Sequence, residues 1–331
     1  MSIADDAHTG MSVSVVVPTF NRSRLLMRAL DSVAAQTWPG SLECVVVDNA
    51  SSDDTQRSLG EWSDSNPEIR LVARRWPVNI GPLENWSRGV DLASGDWIKV
   101  LWSDDWLEPE AVGHLVAEAA RSGADVVTCA AVVHRGTSLQ TELYGGSGGP
   151  VTTHDVIRSV VESTASEPTS PTAALIRRES AQASLELART LGTCGERVIG
   201  VDLMMLYYDL FAGGQVVHLD EPLVHFWAGE VGDEDASMTL TYRLAELRTC
   251  YDAALYQLIR KFGVAVDADL WALLRHRSAE SRLTRQHSVD LLAPPAVLWR
   301  RPGLMLSHYR RQLAKAANAM RNRRAAHAYR D

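Results

Sequence analysis

The sequence has no apolar run long enough to cross a bilayer, and none of its four cysteines belongs to a Cys-x-x-Cys pair. A membrane-spanning helix needs about 20 consecutive apolar residues, and zinc ribbons and disulfide frameworks need closely spaced cysteines. We therefore expect none of these classes. Residues 1–11 form a polar, acidic N-terminal tail rather than a basic and then apolar leader, so we expect a cytoplasmic protein with reduced thiols.

Two glycine-rich signatures of phosphate binding are also missing. The chain has no Gly-x-Gly-x-x-Gly and no Gly-Lys-Ser/Thr loop. Neither the usual dinucleotide fingerprint nor a P-loop can therefore hold a phosphate here. A nucleotidyltransferase normally carries a glycine-rich, basic loop early in the chain. We therefore rank that class of enzyme below the two functions considered at the end of this section.

Charge is distributed unevenly along the chain. The formal net charge is −8, but from residue 240 onward 17 Lys and Arg face 7 Asp and Glu, whereas the earlier part has 16 against 34. An acidic body does not suit nucleic-acid binding. Residues 309–330 predict a basic helix, which we expect to pack on its own body, in a homodimer, or peripherally at the inner face of a membrane.

Apolar runs alternate with helical periodicities through the first third of the chain. Four short runs rich in apolar residues predict buried strands: residues 12–18, 42–48, 69–73 and 98–102. Between them, apolar residues recur at helical spacing, and turn residues end each helix. This alternation predicts an α/β fold with a doubly wound, mostly parallel sheet.

Polar residues follow three of these strands, at Thr19–Arg22, Asp48–Asn49 and Ser103–Asp105. The carboxyl ends of parallel strands meet at one edge of a sheet, where ligands bind. Adjacent carboxylates there suit a hard divalent cation that bridges the oxygens of a diphosphate. The alternative for Asp104 and Asp105 is a solvated turn that begins the next helix, because Asp-x-x-Glu before proline also resembles a helix start.

The second half of the chain is less regular. Residues 124–133, 171–178, 215–223 and 224–227 predict further strands, and the glycine-rich segment 144–150 predicts a flexible joint. Residues 198–211 predict an apolar helix that carries one isolated acid, Asp202, near its start. Beyond residue 239 the spacing is helical throughout.

Five motifs, in this order, make the pattern recognisable: Val-Ser-Val-Val-Val-Pro-Thr-Phe-Asn-Arg, Val-Val-Val-Asp-Asn-Ala-Ser-Ser-Asp-Asp-Thr, Asn-Ile-Gly-Pro-Leu-Glu-Asn-Trp, Ala-Ser-Gly-Asp-Trp-Ile and Leu-Trp-Ser-Asp-Asp-Trp-Leu-Glu-Pro. Together they resemble the inverting family-2 glycosyltransferases of the Rossmann-like GT-A fold. The resemblance implies one glycosyltransferase domain over residues 12–238, with a nucleotide-binding half at 12–135 and an acceptor half at 150–238. A helical, basic C-terminal region, 239–331, lies beyond it.

The resemblance also implies where the nucleotide part of a donor binds. Pro18, Thr19, Phe20 and Asn21 match the loop that touches the nucleotide. Asp48 matches the acid that reads the base, and a carboxylate can accept the imide N–H of uracil or thymine. The base and ribose contacts would further include Gly81 and Asn85.

The family's metal-binding motif falls on the acidic loop after residue 101. Asp104 matches its metal ligand, with Asp105 and His225 as further candidates, and the cofactor would be Mn²⁺ or Mg²⁺. Ser103 and Trp102 belong to the same nucleotide-sugar loop. The family often has an acid where this chain has Trp102, which removes one ligand and offers an aromatic face to a sugar.

Asp202 matches the catalytic base of inverting members, although the acid that usually precedes it is Val201 here. Its structural alternative is an acid favoured by the helix dipole, worth about 0.3–1 kcal/mol. We predict transfer of a sugar from a UDP- or dTDP-type nucleotide-diphospho-sugar to an unidentified hydroxyl acceptor. The alternative is a protein that binds a nucleotide-sugar or glycan on the same fold without turnover.

Overall fold

The computed structural model describes residues 10–135, 140–162, 167–191, 198–229, 244–272 and 274. The chain divides into two compact units, Met1–Ala265 and Val266–Asp331. In the second unit, the N–H of Trp271 donates to the carbonyl of Asp267 at 2.8 Å, as in a helical turn. The basic helix expected at 309–330, with its dimer or membrane contacts, lies outside the described residues, as does the boundary expected at 238.

The described residues of the first unit contain ten strands and eight α-helices. The strands are β1 (Ser12–Thr19), β2 (Ser41–Asp48), β3 (Arg70–Arg75), β4 (Trp97–Val100), β5 (Trp106–Leu107), β6 (Val126–Arg135), β7 (Gln140–Tyr144), β8 (Gly149–Val151), β9 (Ala174–Arg177) and β10 (Val216–Gly229). The helices are α1 (Ser23–Ala34), α2 (Thr55–Ser65), α3 (Pro82–Leu92), α4 (Ala111–Ser122), α5 (Thr153–Glu162), α6 (Arg178–Leu191), α7 (Val201–Ala212) and α8 (Leu244–Phe262). A 3-10 helix, Pro171–Ala173, precedes β9.

The strands form one sheet in the order β3-β2-β1-β4-β9-β6-β10-β5, with β7 on β6 and β8 on β10. Strands β3, β2, β1 and β4 are parallel, as the alternation of strands and helices predicted. Strand β9 runs antiparallel between β4 and β6, so the second half of the sheet is mixed. The two strands expected at 215–223 and 224–227 form one strand, β10, with register shifts where it passes Pro222.

Helices cover both faces of the parallel strands, which explains why β1 is buried along nearly its whole length. Val15, Val16 and Val17 are all buried, although they alternate between the two faces. Helix α1 buries Leu26 and Leu30 in the cluster that includes Val15 and Val17. Burying each such side chain contributes about 1.5–3 kcal/mol. This packing fixes the strand ends from which the polar loops project.

A buried polar network joins β1, β2 and the turn before β4. The carboxylate of Glu43 accepts hydrogen bonds from the Ser14 hydroxyl and from the N–H of Ser94, each at 2.6 Å. The Ser14 oxygen accepts the N–H of Gly95 at 2.8 Å. Burial alone would raise the pKa of Glu43, but these hydrogen bonds lower it. The network therefore ties the charged Glu43 to the close approach of Gly95.

We expect Gly95→Ala to destabilise the protein by about 1–3 kcal/mol, because overpacking forces the backbone apart. A Cβ at this position would lie 2.7 Å from the backbone nitrogen of Ser14. Gly60→Ala is the matched control, since its Cβ would meet nothing within 4 Å and alanine favours the helix by about 0.5–1 kcal/mol. Urea unfolding of both variants measures the difference, and equal midpoints would contradict the tight contact at Gly95.

Cys44, Cys129 and Cys250 are buried free thiols, as their spacing predicted, and Cys194 lies outside the described residues. Burial raises the pKa of Cys44 to about 12 and that of Cys129 to about 11, so both are unreactive thiols at neutral pH. Across the described segments, no helix combines the length and apolarity that a bilayer crossing requires.

Candidate active site

The polar ends of β1 and β2 contact each other directly. The N–H of Asn49 donates to the carbonyl of Thr19 at 3.0 Å, and the N–H of Asn21 donates to the Ser51 hydroxyl at 2.8 Å. Asn21 and Ala50 have φ of 52° and 67°. Non-glycine residues rarely adopt this left-handed region, and such residues cluster at functional sites. The two strand ends thus form one strained surface at the sheet edge.

Thr19 and Phe20 have side chains that suit a ligand at this surface. The Thr19 hydroxyl is buried and lacks a hydrogen-bond partner within the described segments, whereas the Phe20 ring is 43% exposed. Buried polar groups are usually paired, so an unpaired hydroxyl at a strand end is suited to a ligand. Pro18 is buried within β1, opposite Val47. A nucleotide contact through residues 18–21 stays a prediction that these features favour.

Asp48, which we expected to read a nucleobase, is only 1% exposed. Its Oδ1 accepts hydrogen bonds from the N–H of Ser51 at 2.9 Å and from the hydroxyl of Ser51 at 2.5 Å. Its Oδ2 accepts from the Gln56 side chain at 2.8 Å, and Arg75 lies 3.6 Å away. Both oxygens thus accept hydrogen bonds from protein groups, so a contact with a nucleobase would use a second lone pair of one oxygen and stays a prediction.

Asn49, which we grouped with Asp48 but gave no role, is the next residue at this edge. Its side chain donates to Asn79 Oδ1 at 2.9 Å and accepts the N–H of Ile80 at 2.8 Å, so it holds the loop before α3. The sequence signal was its place directly after a strand that ends in an acid. This contact positions Gly81, which has φ +81° and is the N-cap of α3.

Asn85 is likewise held by the protein. Its Nδ2 donates to the carbonyl of Val47 at 3.1 Å, and its Oδ1 accepts the indole N–H of Trp76 at 2.7 Å. The side chain is buried at 2% exposure. These bonds fasten α3 to β2, so the structure favours a structural role for Asn85 over the expected ribose contact.

The acidic loop after β4 contains Ser103, Asp104 and Asp105, all of them buried. The carboxylate of Asp104 pairs with the guanidinium of Arg22 at 2.6 Å. Arg28 donates to the backbone carbonyl of Asp104 at 2.5 Å. Two arginines from α1 and its preceding loop therefore converge on Asp104. We predicted no role for either, although Arg22 is the last residue of the polar cluster Thr19–Arg22 at the end of β1.

Asp105 has a different environment from Asp104. Its Oδ1 accepts the N–H of Trp227 at 3.1 Å. Burial, and then the neighbouring Asp104 carboxylate, raise the pKa of Asp105 well above its ordinary value. Lys99 is also fully buried, donates to the carbonyl of Thr172, and has its pKa lowered by burial to about 8. The hydrogen bond from Trp227 to Asp105 favours Asp104 over Asp105 as the carboxylate that faces a ligand.

Trp102 occupies the position where the family often has an acid. Its ring lies 4.6 Å from that of Trp86 on α3, and its indole N–H donates to the Ser170 hydroxyl at 3.1 Å. Its backbone N–H donates to the Thr172 hydroxyl at 3.2 Å. Trp102 thus joins α3 to the segment around the 3-10 helix, and it is only partly buried.

His225 lies in a cluster with Trp106, His134 and Glu108. Its ring stacks on Trp106 with centroids 4.8 Å apart, its Nδ1 lies 2.9 Å from His134 Nε2, and its Nε2 lies 2.5 Å from Glu108 Oε1. The guanidinium of Arg28 lies 4.0 Å from the Trp106 ring centre. Both ring nitrogens of His225 therefore have protein partners, and a metal could bind it only by replacing one of them.

Asp202 lies in the first turn of α7 and is partly buried. Its Oδ1 accepts hydrogen bonds from the N–H groups of Gly200 and Leu203, at 2.9 and 3.1 Å. Burial raises the pKa of Asp202 to about 6, even though its hydrogen bonds act in the opposite direction. A carboxylate with this pKa is mostly ionised at neutral pH and still accepts a proton readily.

Helix α7 and the acidic loop both contact the segment 168–173. The hydroxyl of Tyr207 on α7 donates a hydrogen bond to the carbonyl of Pro168 at 2.7 Å. From the acidic loop, Trp102 donates hydrogen bonds to the hydroxyls of Ser170 and Thr172. This shared segment links the helix of Asp202 to the loop of Asp104.

Asp104 is the carboxylate at the sheet edge best suited to a divalent cation. In the segments that the structure describes, no group of three or more His, Cys, Asp and Glu side chains could hold a metal by itself. A cation at Asp104 would share this carboxylate with the Arg22 guanidinium, which lies 2.6 Å from its Oδ2. Mg²⁺ beside nucleotides is usually bound by one or two carboxylates together with phosphate oxygens. Asp104 therefore fits a cation shared with a bound diphosphate.

Comparison with solved structures defines the class of fold. A crystal structure of S. aureus TarS residues 1–349 in complex with UDP-GlcNAc superposes with a TM-score of 0.58 and 19% sequence identity, over 85% of this chain and 77% of that one. TarS is a GT-A glycosyltransferase, and the likeness establishes the GT-A fold that the motifs implied.

Sequence comparison gives the family. The profile of Glycosyl transferase family 2 matches residues 14–184, more than half of the chain, and this protein therefore belongs to that family. It is 32% identical over 120 residues to the abequosyltransferase RfbV of Salmonella typhimurium, covering 36% of this chain and 35% of RfbV. It is also 32% identical over 135 residues to a PGL/p-HBAD biosynthesis glycosyltransferase of Mycobacterium bovis, covering 40% and 50%. The chain thus spans half or less of the length of these curated relatives. Asp202 lies beyond the residues that the family profile matches.

Proposed function

We propose that this protein transfers a sugar from a nucleotide-diphospho-sugar, of UDP or dTDP type, to an acceptor hydroxyl with inversion, and that Asp202 is the general base. The observation that carries the proposal is the environment of Asp202. It is a partly buried carboxylate at the start of a helix that shares the segment 168–173 with the acidic loop. The motif match and the family membership support the same reaction class.

The donor would bind across the ends of β1, β2 and β4. The Thr19 hydroxyl, which has no hydrogen-bond partner among the described residues, and the exposed Phe20 ring would supply polar and aromatic contacts for a nucleotide. Arg22 and Arg28 place positive charge beside Asp104, which suits a diphosphate. TarS was crystallised in complex with UDP-GlcNAc, which supports a uridine donor as the first candidate.

The chemical step requires proton removal from the acceptor hydroxyl as it attacks the sugar. Asp202 accepts this proton, and the attack is opposite the leaving diphosphate because the configuration inverts. A divalent cation bound with the donor at Asp104 would offset the charge of the departing diphosphate. Arg22 adds positive charge on the same side as Asp104.

Two departures from the family pattern support the alternative of binding without turnover. Trp102 replaces an acid, and its indole N–H is bonded to Ser170. Val201, fully buried, replaces the acid before Asp202. A panel of UDP-, dTDP- and GDP-sugars incubated with Mn²⁺ tests both functions by release of the nucleoside diphosphate. Release above the protein-free rate supports the enzyme, and binding by calorimetry without release supports the binder.

The pH profile of turnover offers a further test. We expect kcat/KM to rise with pH through an apparent pKa of about 6, because the protonated Asp202 carboxyl cannot accept the acceptor's proton. Initial rates at saturating Mn²⁺ between about pH 5 and 8 measure this limb. A flat profile across that range would argue against Asp202 as the base.

A further inference from the structure

A tyrosine from the C-terminal part of the chain contacts Asp202. The hydroxyl of Tyr251, on α8, donates a hydrogen bond to Asp202 Oδ2 at 2.9 Å. The two residues lie 49 positions apart in the sequence. Tyr251 also lies beyond the residues 14–184 that the family profile matches.

The contact completes a specific arrangement around the carboxylate. Oδ1 is bound by the two backbone N–H groups of Gly200 and Leu203, while Oδ2 is bound by Tyr251. Holding both oxygens fixes the plane of the carboxylate. A carboxylate oxygen has two lone pairs, so Oδ2 can accept the Tyr251 hydroxyl and a substrate proton at the same time.

The backbone of Gly200 fixes the position of α8 beside this carboxylate. Gly200 has φ +97°, and a Cβ there would lie 2.9 Å from both Ala254 Cβ and the carbonyl oxygen of Cys250. The start of α7 therefore contacts α8 directly, one residue before Tyr251. Only glycine permits both this conformation and this approach. The position of Tyr251 is thus set by helix packing rather than by a mobile loop.

We propose that Tyr251 is a positioning residue that orients Oδ2 of Asp202 for proton transfer from the acceptor hydroxyl. The proposal rests on the proposed function, in which Asp202 is the base. Tyr251 acts through Asp202 and need not touch the substrate. Its role assigns the C-terminal helix α8 a part in the chemistry.

The charged groups on the elements that pack against α7 lie mainly near its C-terminal end, away from Asp202. Glu179 on α6, Arg177 on β9 and Asp125 all influence Asp209, near the C-terminal end of α7. On α8, Asp252 follows Tyr251 and is buried. Among the side chains that the structure describes, the Tyr251 hydroxyl is the one that hydrogen-bonds the Asp202 carboxylate.

Tyr251→Phe tests the proposal with the most active donor of the nucleotide-sugar panel. We expect plateau kcat to fall about 10-fold, because a loosened base loses its alignment, and KM for the donor to stay unchanged. The hydroxyl stabilises the charged carboxylate, so its removal should move the acidic limb of the pH profile upward by about one pH unit.

Tyr207→Phe is the matched control. It also removes a buried hydroxyl, from α7 itself, together with its bond to the carbonyl of Pro168, but none of the hydrogen bonds shown on Asp202 comes from Tyr207. We expect Tyr207→Phe to lower thermal stability and to leave the acidic limb of the pH profile at its wild-type position. In the Asp202→Asn background, Tyr251→Phe should have no further effect on kcat, because it acts only through the carboxylate.

The ¹³C chemical shift of the Asp202 carboxyl, assigned by its loss in Asp202→Asn, gives a readout that needs no donor. Its titration should move upward by about one pH unit in Tyr251→Phe. If Tyr251→Phe left both the ¹³C titration of Asp202 and the acidic limb of the pH profile unchanged, the proposed role of Tyr251 would be wrong. If the titration moves but Asp202→Asn retains full transfer, the contact stands and the proposed base fails instead.

Discussion

Asp202→Asn should lower the rate of sugar transfer by about 10²–10⁴-fold while the donor still binds, the usual contribution of a general base. Asparagine keeps the shape of the side chain and cannot accept the proton at neutral pH. In the proposed function the donor binds at the strand ends, which Asp202 does not contact through any hydrogen bond that the structure shows. Single-turnover rates and calorimetry with the nucleoside diphosphate of the most active donor measure the two effects separately.

The stability of the same variant provides its control. Burial raises the pKa of Asp202 from 3.8 to about 6, so the folded state binds the carboxyl proton more tightly than the unfolded state does. The stability that comes from this proton is fully present below pH 3.8 and is lost as pH rises through 6. At pH 7 the charged carboxylate therefore destabilises the fold, and Asp202→Asn should gain about 1–2 kcal/mol. A gain in thermal stability with lost transfer identifies a functional acid. Lost stability and lost donor binding together would point to a structural role.

Asp104→Asn should lower transfer by about 10²-fold or more, because it removes the carboxylate that would share a cation with the diphosphate. Binding of Mn²⁺ in the presence of the nucleoside diphosphate should weaken in parallel. Removal also leaves the Arg22 guanidinium without the acid that it pairs with at 2.6 Å. Manganese titration followed by electron paramagnetic resonance reports the metal affinity independently of turnover.

Asp105→Asn is the matched control for this prediction. Asp105 is the carboxylate whose Oδ1 accepts the N–H of Trp227 at 3.1 Å, and the amide oxygen of asparagine can still accept that hydrogen bond. Manganese affinity should then change by less than about threefold, well under 1 kcal/mol. If Asp105→Asn abolished metal binding and Asp104→Asn did not, the two acids would have to exchange roles. Activity of Asp104→Asn that is complete in the presence of chelator would exclude a metal at this loop.

Hydrophobic patterning was enough to predict the alternation of strands and helices and the strand ends that contact each other. Apolar runs such as that of β1 are buried on both faces, which leaves little choice of structure. The antiparallel insertion of β9 was not predictable, because its four residues pair with β4 and β6, which are far away in sequence.

The roles of individual polar residues were harder to predict, because their partners come from other elements. Asp48 and Asn85 match family positions, yet Gln56 and Trp76 occupy their polar atoms. The same reason hides the contact between Tyr251 and Asp202, which depends on how two helices pack. Motif spacing indicates which residues approach an edge. It does not show which of them keep a free oxygen there.

Strand β3 ends the sheet on one side, and this position affects how the protein behaves at high concentration. Open strand edges promote aggregation, because their unpaired backbone groups can bind another chain. Three of the six residues of β3 are arginines, and all three are exposed. At the other end of the order, β5 has only two residues. Charged side chains on an edge strand and a very short edge strand are both features that discourage such pairing between molecules.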